Sequence, residues 1–431
     1  MKLEMATFRV RDVVFSDATR LSDGVLYVDR SKVVELVTEG HWFAGAEVHL
    51  VRPGESARLI NVLDAVEPRH KVSGPGAVFP GVLGPPVTVG QGRTHRLANL
   101  VVMVTSEPVP NEPVYWRDAV VDMSGPGADY NLFSNHLILV IELKPRLADI
   151  RPEAMGQVTT NHAWGPPHVQ EHNISARAAG FRVAEYLAES TSKLVPDEVS
   201  TYELGPADDS LPKVACSSQL ILHRLYGQAL GWQPTFLHPN ELMDGCLYNP
   251  YNSPACGRES TYFFQNHPVA NVLYGRHNRE VNFFGMLLLR SQVISLEDKE
   301  RTTRYAAKLL QMMGIEGLVL TWAGSGNPGM DTMMLARRCE QVGIKATVIN
   351  SEMSLTQDDS GIIYFPSEVD AVVCAGNYMK SIALPPVKRL LGGRKINDPE
   401  VEASGPLSLP LRYLYGATNL TGANRLSSIS Y

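Results

Sequence analysis

The 431-residue sequence has five cysteines and no Cys-x-x-Cys pair. An odd, scattered set argues against a disulfide scaffold and for a reducing compartment. Without the paired spacing, a zinc ribbon or thioredoxin-like centre has no support. No run approaches 18 apolar residues, and Met1-Lys-Leu-Glu-Met-Ala6 has no apolar signal core. Neither a membrane span nor secretion is expected, so the reading is cytoplasmic. Positive charge is not in excess. With 39 Lys and Arg against 45 Asp and Glu, the formal net charge of −6 leaves no electrostatic footprint for nucleic acid.

What is present fits a soluble chain with two or three cores: 44% apolar and 19% charged residues over this length. Residues 1–145 read as a β-rich domain. Short β-branched runs, such as Gly24 to Val28, Ala46 to Val51 and Leu97 to Val104, alternate with Gly- and Pro-dense turns. Ser31 is expected to cap a helix over 32–37. Residues 146–172 form a Pro- and His-rich connector. Its His162, His168 and His172 match no zinc spacing, so a solvated loop is expected. Helical spacing of Ala176, Ala179, Val183 and Leu187 predicts a helix over 173–194. From Lys213 onward strands alternate with helices, and an apolar helix is expected through Leu220, Leu222 and Leu225. The fold class is therefore α/β: a β-rich N-terminal domain followed by α/β units with mainly parallel sheets, one at 173–262 and one at 263–431.

Sites in such sheets lie at the carboxyl ends of strands. That rule selects three loops: 238–256, 323–329 and 375–377. The first leaves the short strand 234–237 at His238-Pro239. Asn240 is expected to cap one helical turn that Gly245 closes. It then runs through Asp244, Cys246, Asn252, Ser253 and Cys256 to Glu259. Cys256 offers a thiol, and Ser253 a hydroxyl that could attack the carbonyl of Asn252. The second loop, Gly324-Ser325-Gly326-Asn327-Pro328-Gly329, sits between a strand and a helix. It lacks a P-loop lysine and dinucleotide spacing, so a carboxylate or phosphate on a small substrate is the expected ligand of its free N–H groups.

These residues resemble a known family. Ser22-Asp-Gly-Val-Leu-Tyr-Val28, Arg52-Pro-Gly-Glu-Ser56, Val66-Glu-Pro-Arg69, Phe79-Pro-Gly81 and Gly92-Arg-Thr-His95 carry the likeness, together with Asp122-Met-Ser-Gly-Pro-Gly-Ala128 and Pro196-Asp-Glu-Val199. It continues through Leu237-His-Pro239, Met243-Asp-Gly245, Gly326-Asn-Pro328, Leu384-Pro-Pro386 and Gly416-Ala-Thr-Asn419. The chain resembles the α/β-subunit proprotein of component B of glycine, sarcosine and betaine reductases, and more distantly the D-proline reductase proprotein. The likeness spans nearly the whole chain. It implies an oxidoreductase subunit that cleaves a C–N bond reductively in a small amino-acid-like substrate. It also implies a hetero-oligomer with a Cys- or selenocysteine-containing subunit, electrons from thioredoxin, and a pyruvoyl group made by self-cleavage at an internal cysteine.

The sequence departs from the family at that cysteine. The family pattern reads Asn-Cys, then Ala-Cys a few residues on. Here the stretch is Tyr251-Asn-Ser-Pro-Ala-Cys256. The processed position falls on Asn252 without a gap and on Ser253 with a one-residue gap. Three readings compete: a reductase subunit, unprocessed or cleaved at Ser253; a processing-dead homologue that binds substrate and partner; and an enzyme using the Cys256 thiol. In the unprocessed forms His238, Asp244 and Glu259 are expected to line the cleft.

Overall fold

A computed structural model describes every residue except 111, 113–117, 147–166, 251–258, 292–294, 324–325, 355–363, 398–399, 424–426 and 429–431. The N-terminal β-rich region is built on strand Leu100–Ser106, which is buried along its whole length. It pairs in parallel with Leu137–Pro145 and antiparallel with Val62–Val66; Phe43–Val51 closes the far edge of this four-stranded sheet. Alternation sorts the side chains. Leu100, Val102 and Val104 face helix Pro167–Glu189 through Ala176, Ala179 and Val183, while Val101 and Met103 face Phe133, Ile138 and Val140. A second sheet pairs Lys2–Arg9 with Glu198–Glu203 and Gly92–Ala98, and the last of these with Arg69–Ser73.

The helical segment begins earlier than its periodicity predicts. Helix Pro167–Glu189 takes in the end of the expected connector. His168 bonds the carbonyl of Pro110 at 2.8 Å, and His172 packs against Trp42 and Phe43, so these two histidines belong to the core rather than to a solvated loop. His162 lies outside the described residues. The first helix, Arg30–Thr38, is capped by Asp29 rather than Ser31, through its carboxylate and the N–H of Lys32.

The second half is organised by one seven-stranded sheet. Five of its strands are parallel and stand in the order Asn282–Arg290, Lys213–Leu220, Gly317–Trp322, Lys345–Glu352, Val372–Asn377. Thr235–Leu237 and Ser427–Ser428 add antiparallel edges. Strands on both sides of residue 262 are hydrogen-bonded here, so the two α/β units share a single sheet. The apolar run after Lys213 is strand to Leu220 and then a short ladder at Arg224–Leu225, not a helix. Short buried apolar runs carry no decisive period. Helix Leu296–Met312 forms where Ser295 caps it and Glu297 and Asp298 load its first turn with negative charge. It packs beside helix Asn327–Gln341.

The last part of the chain folds back on the first. Arg389–Leu391 pairs in parallel with Ala57–Leu59. Between these regions the fully buried Arg58 makes a two-point ion pair with Asp122, at 2.6 and 2.8 Å, and also donates to the carbonyls of Pro385, Ala403 and Gly405. One side chain thus ties the loop at 122–128 to the segment at 385–405.

Candidate functional site

In chain order the five parallel strands stand 2-1-3-4-5. The order reverses between Lys213–Leu220 and Gly317–Trp322, and crevices for ligands open beyond the carboxyl ends of strands at such a reversal. The strand ends are tightly joined. The N–H of Ala323 bonds the carbonyl of Gln219 at 2.8 Å, and the indole N–H of Trp322 bonds the carbonyl of Ile349 at 2.8 Å. Gly326 and Asn327 stand at this end, as the strand-end rule predicts; Gly324 and Ser325 lie outside the described residues. Gly326 has φ of 66° and ψ of −107°, a conformation that favours glycine, and a Cβ there would meet nothing within 4 Å. Below, Lys299 Nζ reaches Asp331 at 2.8 Å, and Ser291 donates to the same carboxylate at 2.6 Å, fixing the two helices to the sheet.

The loop at 238 begins at the other end of the sheet. Strand Thr235–Leu237 is antiparallel to Asn282–Arg290, so its carboxyl end points away from the crevice. His238, rather than Asn240, caps helix Pro239–Met243: its Nδ1 accepts from the N–H of Asn240, and burial pulls its pKa down to about 4. Gly245 follows the helix with φ of 78°, as expected. Asp244 is fully buried and accepts from Lys71, from the N–H of Gly90 at 2.7 Å and from Thr94 at 2.6 Å. Asp244 therefore binds this turn to the N-terminal sheet, while His238 serves the turn's own helix.

The chain then crosses to the crevice. Leu247–Tyr248 pairs with Arg224–Leu225, just past the end of the first parallel strand. Arg177 holds this position, donating to the carbonyl of Asn249 at 2.5 Å and to that of Leu63 at 2.7 Å. Asn252, Ser253 and Cys256 lie outside the described residues. Description resumes at Glu259, ahead of the short helix Thr261–Gln265. Thr261 bonds Asp64 through both its N–H and its hydroxyl, at 2.8 and 2.6 Å. The Gln265 amide exchanges two bonds with the backbone of Glu67. One end of the helix is thereby fixed to strand Val62–Val66 and the other to Glu67, the residue that follows it. Burial raises the carboxyl of Asp64 above its ordinary value, against the opposing charge of Arg177.

Around this helix and the strand ends lie buried polar atoms that have no partner among the described residues. They are Glu259 Oε1, Ser260 Oγ, both ring nitrogens of His223, Gln219 Oε1, Ser351 Oγ, Thr418 Oγ1 and Asn419 Nδ2. Desolvation pushes the Glu259 carboxyl up to about 8 and His223 down to about 3, so both are neutral at pH 7. His223 meets the ring of Phe264 edge-on. Thr418 approaches Gly376, and Leu420 packs with Trp322, Ile349 and Ala375, which seats segment 418–420 over the strand ends. Each unpartnered group costs about 1–3 kcal/mol when buried. Such a concentration is retained where the atoms meet a ligand.

Sequence reasoning reached Glu259, Gly326 and Asn327 but not Gln219, His223, Ser351, Thr418 or Asn419. The available signal was position: His223 follows a strand by three residues, and Thr418 and Asn419 close a quoted motif that carried no assigned role. The described cysteines are free thiols with almost no solvent access. Cys216, Cys246, Cys339 and Cys374 are all buried; burial pushes the first and third up to about 12 and the second well above its ordinary value. Among the described residues no cluster of His, Cys, Asp or Glu suits a metal ion, and no helix is long and apolar enough to cross a membrane.

Known proteins match along the full length. The family model for glycine/sarcosine/betaine reductase component B subunits covers residues 1–428. The glycine reductase complex component B subunits alpha and beta of Acetoanaerobium sticklandii are 30% identical over 454 residues, covering 100% of both chains. The sarcosine reductase complex component B subunit alpha of Peptoclostridium acidaminophilum is 33% identical, again with 100% of both covered. The betaine reductase complex component B subunit alpha of the same organism is 31% identical, over 91% of this chain and 88% of its own. No solved structure matches the chain. With its whole length matched, the chain belongs to the glycine/sarcosine/betaine reductase component B family.

Proposed function

We propose that this chain is the substrate-binding and catalytic subunit of a cytoplasmic reductase complex of the glycine, sarcosine and betaine type. It holds a small amino-acid-like substrate while a separate thiol or selenol subunit, re-reduced by a thioredoxin-like donor, cleaves the C–N bond reductively. The observation that carries this reading is the set of buried polar atoms around helix Thr261–Gln265 and the strand ends that have no partner among the described residues. The inert buried thiols support an external redox partner, because a thiol held well above its ordinary pKa supplies no thiolate at neutral pH.

We propose that the pyruvoyl group implied by the family does not form in this chain. In the family the cleavage position is a cysteine; here Asn252-Ser253-Pro254 stands there, and a serine hydroxyl is the slower nucleophile. We therefore assign substrate binding to side chains, with Glu259 as the first described residue beyond that position. The substrate carboxylate belongs at the opening of helix Asn327–Gln341, where free N–H groups face the crevice side of the sheet.

Two experiments test the proposal. The tagged chain, isolated under reducing conditions, should carry along a second subunit with a redox-active Cys or selenocysteine, and turnover should need both. Full turnover by the isolated chain rejects it. Ser325→Glu should weaken substrate binding by roughly tenfold, because its carboxylate would repel the substrate carboxylate and compete with it for the helix N-terminus. Unchanged affinity moves the carboxylate elsewhere.

A further inference from the structure

The substrates named for the three relatives differ at nitrogen. The ammonium of glycine carries three N–H bonds, that of sarcosine two, and the trimethylammonium of betaine none. A nitrogen with hydrogens is recognised by acceptors, whereas a permethylated one is recognised by open aromatic faces.

The wall at 259–265 is of the first kind. Glu259 is 3% exposed and its Oε1 has no partner among the described residues; neither does Oγ of the adjoining Ser260. The aromatic rings of the same helix are engaged elsewhere. Tyr262 and Phe263 pack on Phe133, at 5.4 and 5.5 Å, and Phe264 on His223, at 5.2 Å. The wall is also preset. Asp64 holds Thr261 by two bonds, so the acceptors just before it need little ordering when a ligand arrives. A carboxyl with a purely structural task would be paired, as Asp64, Asp122 and Asp244 are.

We infer that Glu259 receives an N–H of the substrate amine, so that this chain takes a primary or secondary amino acid and rejects its trimethylated analogue. The inference rests on the proposed function and names the substrate class within it. Ser260 Oγ lies next in the chain as a second acceptor. A trimethylammonium group would leave both acceptors buried and unmatched, a loss that hydrogen-bonding sites convert into strong discrimination.

The test is calorimetric titration of the full chain with glycine, N-methylglycine and N,N,N-trimethylglycine, for the parent and for Glu259→Leu, which removes the acceptor. The parent should bind the first two at least roughly tenfold more tightly than the third. The variant should keep its thermal transition and lose roughly 10–100-fold in affinity for glycine, the worth of a hydrogen bond to a charged partner. Trimethylglycine binding as tightly as glycine overturns the inference without need of the variant. A folded variant with unchanged glycine affinity also overturns it. Binding by none of the three amino acids rejects the proposed function itself, and the inference with it.

Discussion

The imidazole of His223 stands edge-on to the ring of Phe264, with centroids 5.2 Å apart and planes at 89°. The ring contact accounts for its burial but satisfies neither nitrogen, and both lack a partner among the described residues. Packing alone would select an apolar residue here. His223→Leu should therefore raise stability, by about 1–3 kcal/mol, because it removes buried polar atoms that have no partner. It should also weaken substrate binding by roughly tenfold. Thermal melting and calorimetric titration read the two effects separately. A less stable variant with unchanged affinity would assign His223 to the core.

The Arg58–Asp122 pair answers differently to mutation. Both side chains are fully buried, and Arg58 also holds three carbonyls from the segment at 385–405. Asp122→Ala leaves a guanidinium charge in a dry site and should cost about 3–5 kcal/mol. The double change Arg58→Met with Asp122→Leu should restore much of that loss, because no unpaired charge stays buried. Urea unfolding of the parent, the single and the double variant checks the ordering. A double variant weaker than the single one would show that the carbonyl contacts dominate.

The sequence was most legible where local signals suffice. Strand Gly317–Trp322 was readable to the residue, as an apolar run between a glycine and a glycine-rich turn. Helix Leu296–Met312 was readable, one residue too long, from the Asp and Glu near its start; its Ser295 cap was not. The candidate site was legible at Glu259, beyond the reactive loop, and at Gly326 and Asn327, which follow a strand end. His238 was misplaced because the direction of Thr235–Leu237 is set by pairing with Asn282–Arg290, which no local pattern encodes. Asp244 reads as a polar loop residue, yet its partners Lys71 and Thr94 lie 173 and 150 residues away in the chain. A single histidine such as His223, after an apolar run, carries no motif at all; only its missing hydrogen bonds distinguish it.

The chain should remain a single polypeptide. Cysteine is the better nucleophile for the acyl shift and the better leaving group for elimination, so serine slows both steps. Pro254 restricts Ser253 to extended conformations, which constrains the approach of its hydroxyl to the carbonyl of Asn252. Denaturing electrophoresis and intact mass should give one species at 47.3 kDa for freshly made protein. Two fragments from the parent and one chain from Ser253→Ala would show that self-cleavage persists.

The pH dependence of stability follows from groups that burial holds neutral. His95, His238 and His267 are pulled to about 4 and His223 to about 3, against about 6.5 for a solvated imidazole. Below about pH 6.5 the unfolded chain binds protons that these folded histidines refuse, so stability falls as pH falls from there toward 4. Glu259 acts in the opposite sense. Its carboxyl is pushed up to about 8, against about 4.3 when solvated, so the folded state keeps a proton the unfolded chain has lost. Its contribution weakens as pH rises through that window and is constant above it. Between about pH 4.3 and 6.5 the four histidines outnumber the raised carboxyls Glu259, Asp64 and Glu241, and stability rises with pH. Above about 6.5 Glu259 titrates without their opposition, and stability should decline by about 2 kcal/mol up to pH 8, at about 1.4 kcal/mol per unit. Urea melts at about pH 5, 6.5 and 8 should place the maximum near 6.5. Glu259→Gln should abolish the decline on the alkaline side and steepen the rise between about pH 4.3 and 6.5, where the carboxyl no longer opposes the histidines. A parent equally stable at the two higher pH values would mean that Glu259 is charged in the folded protein, with a partner not among the described residues.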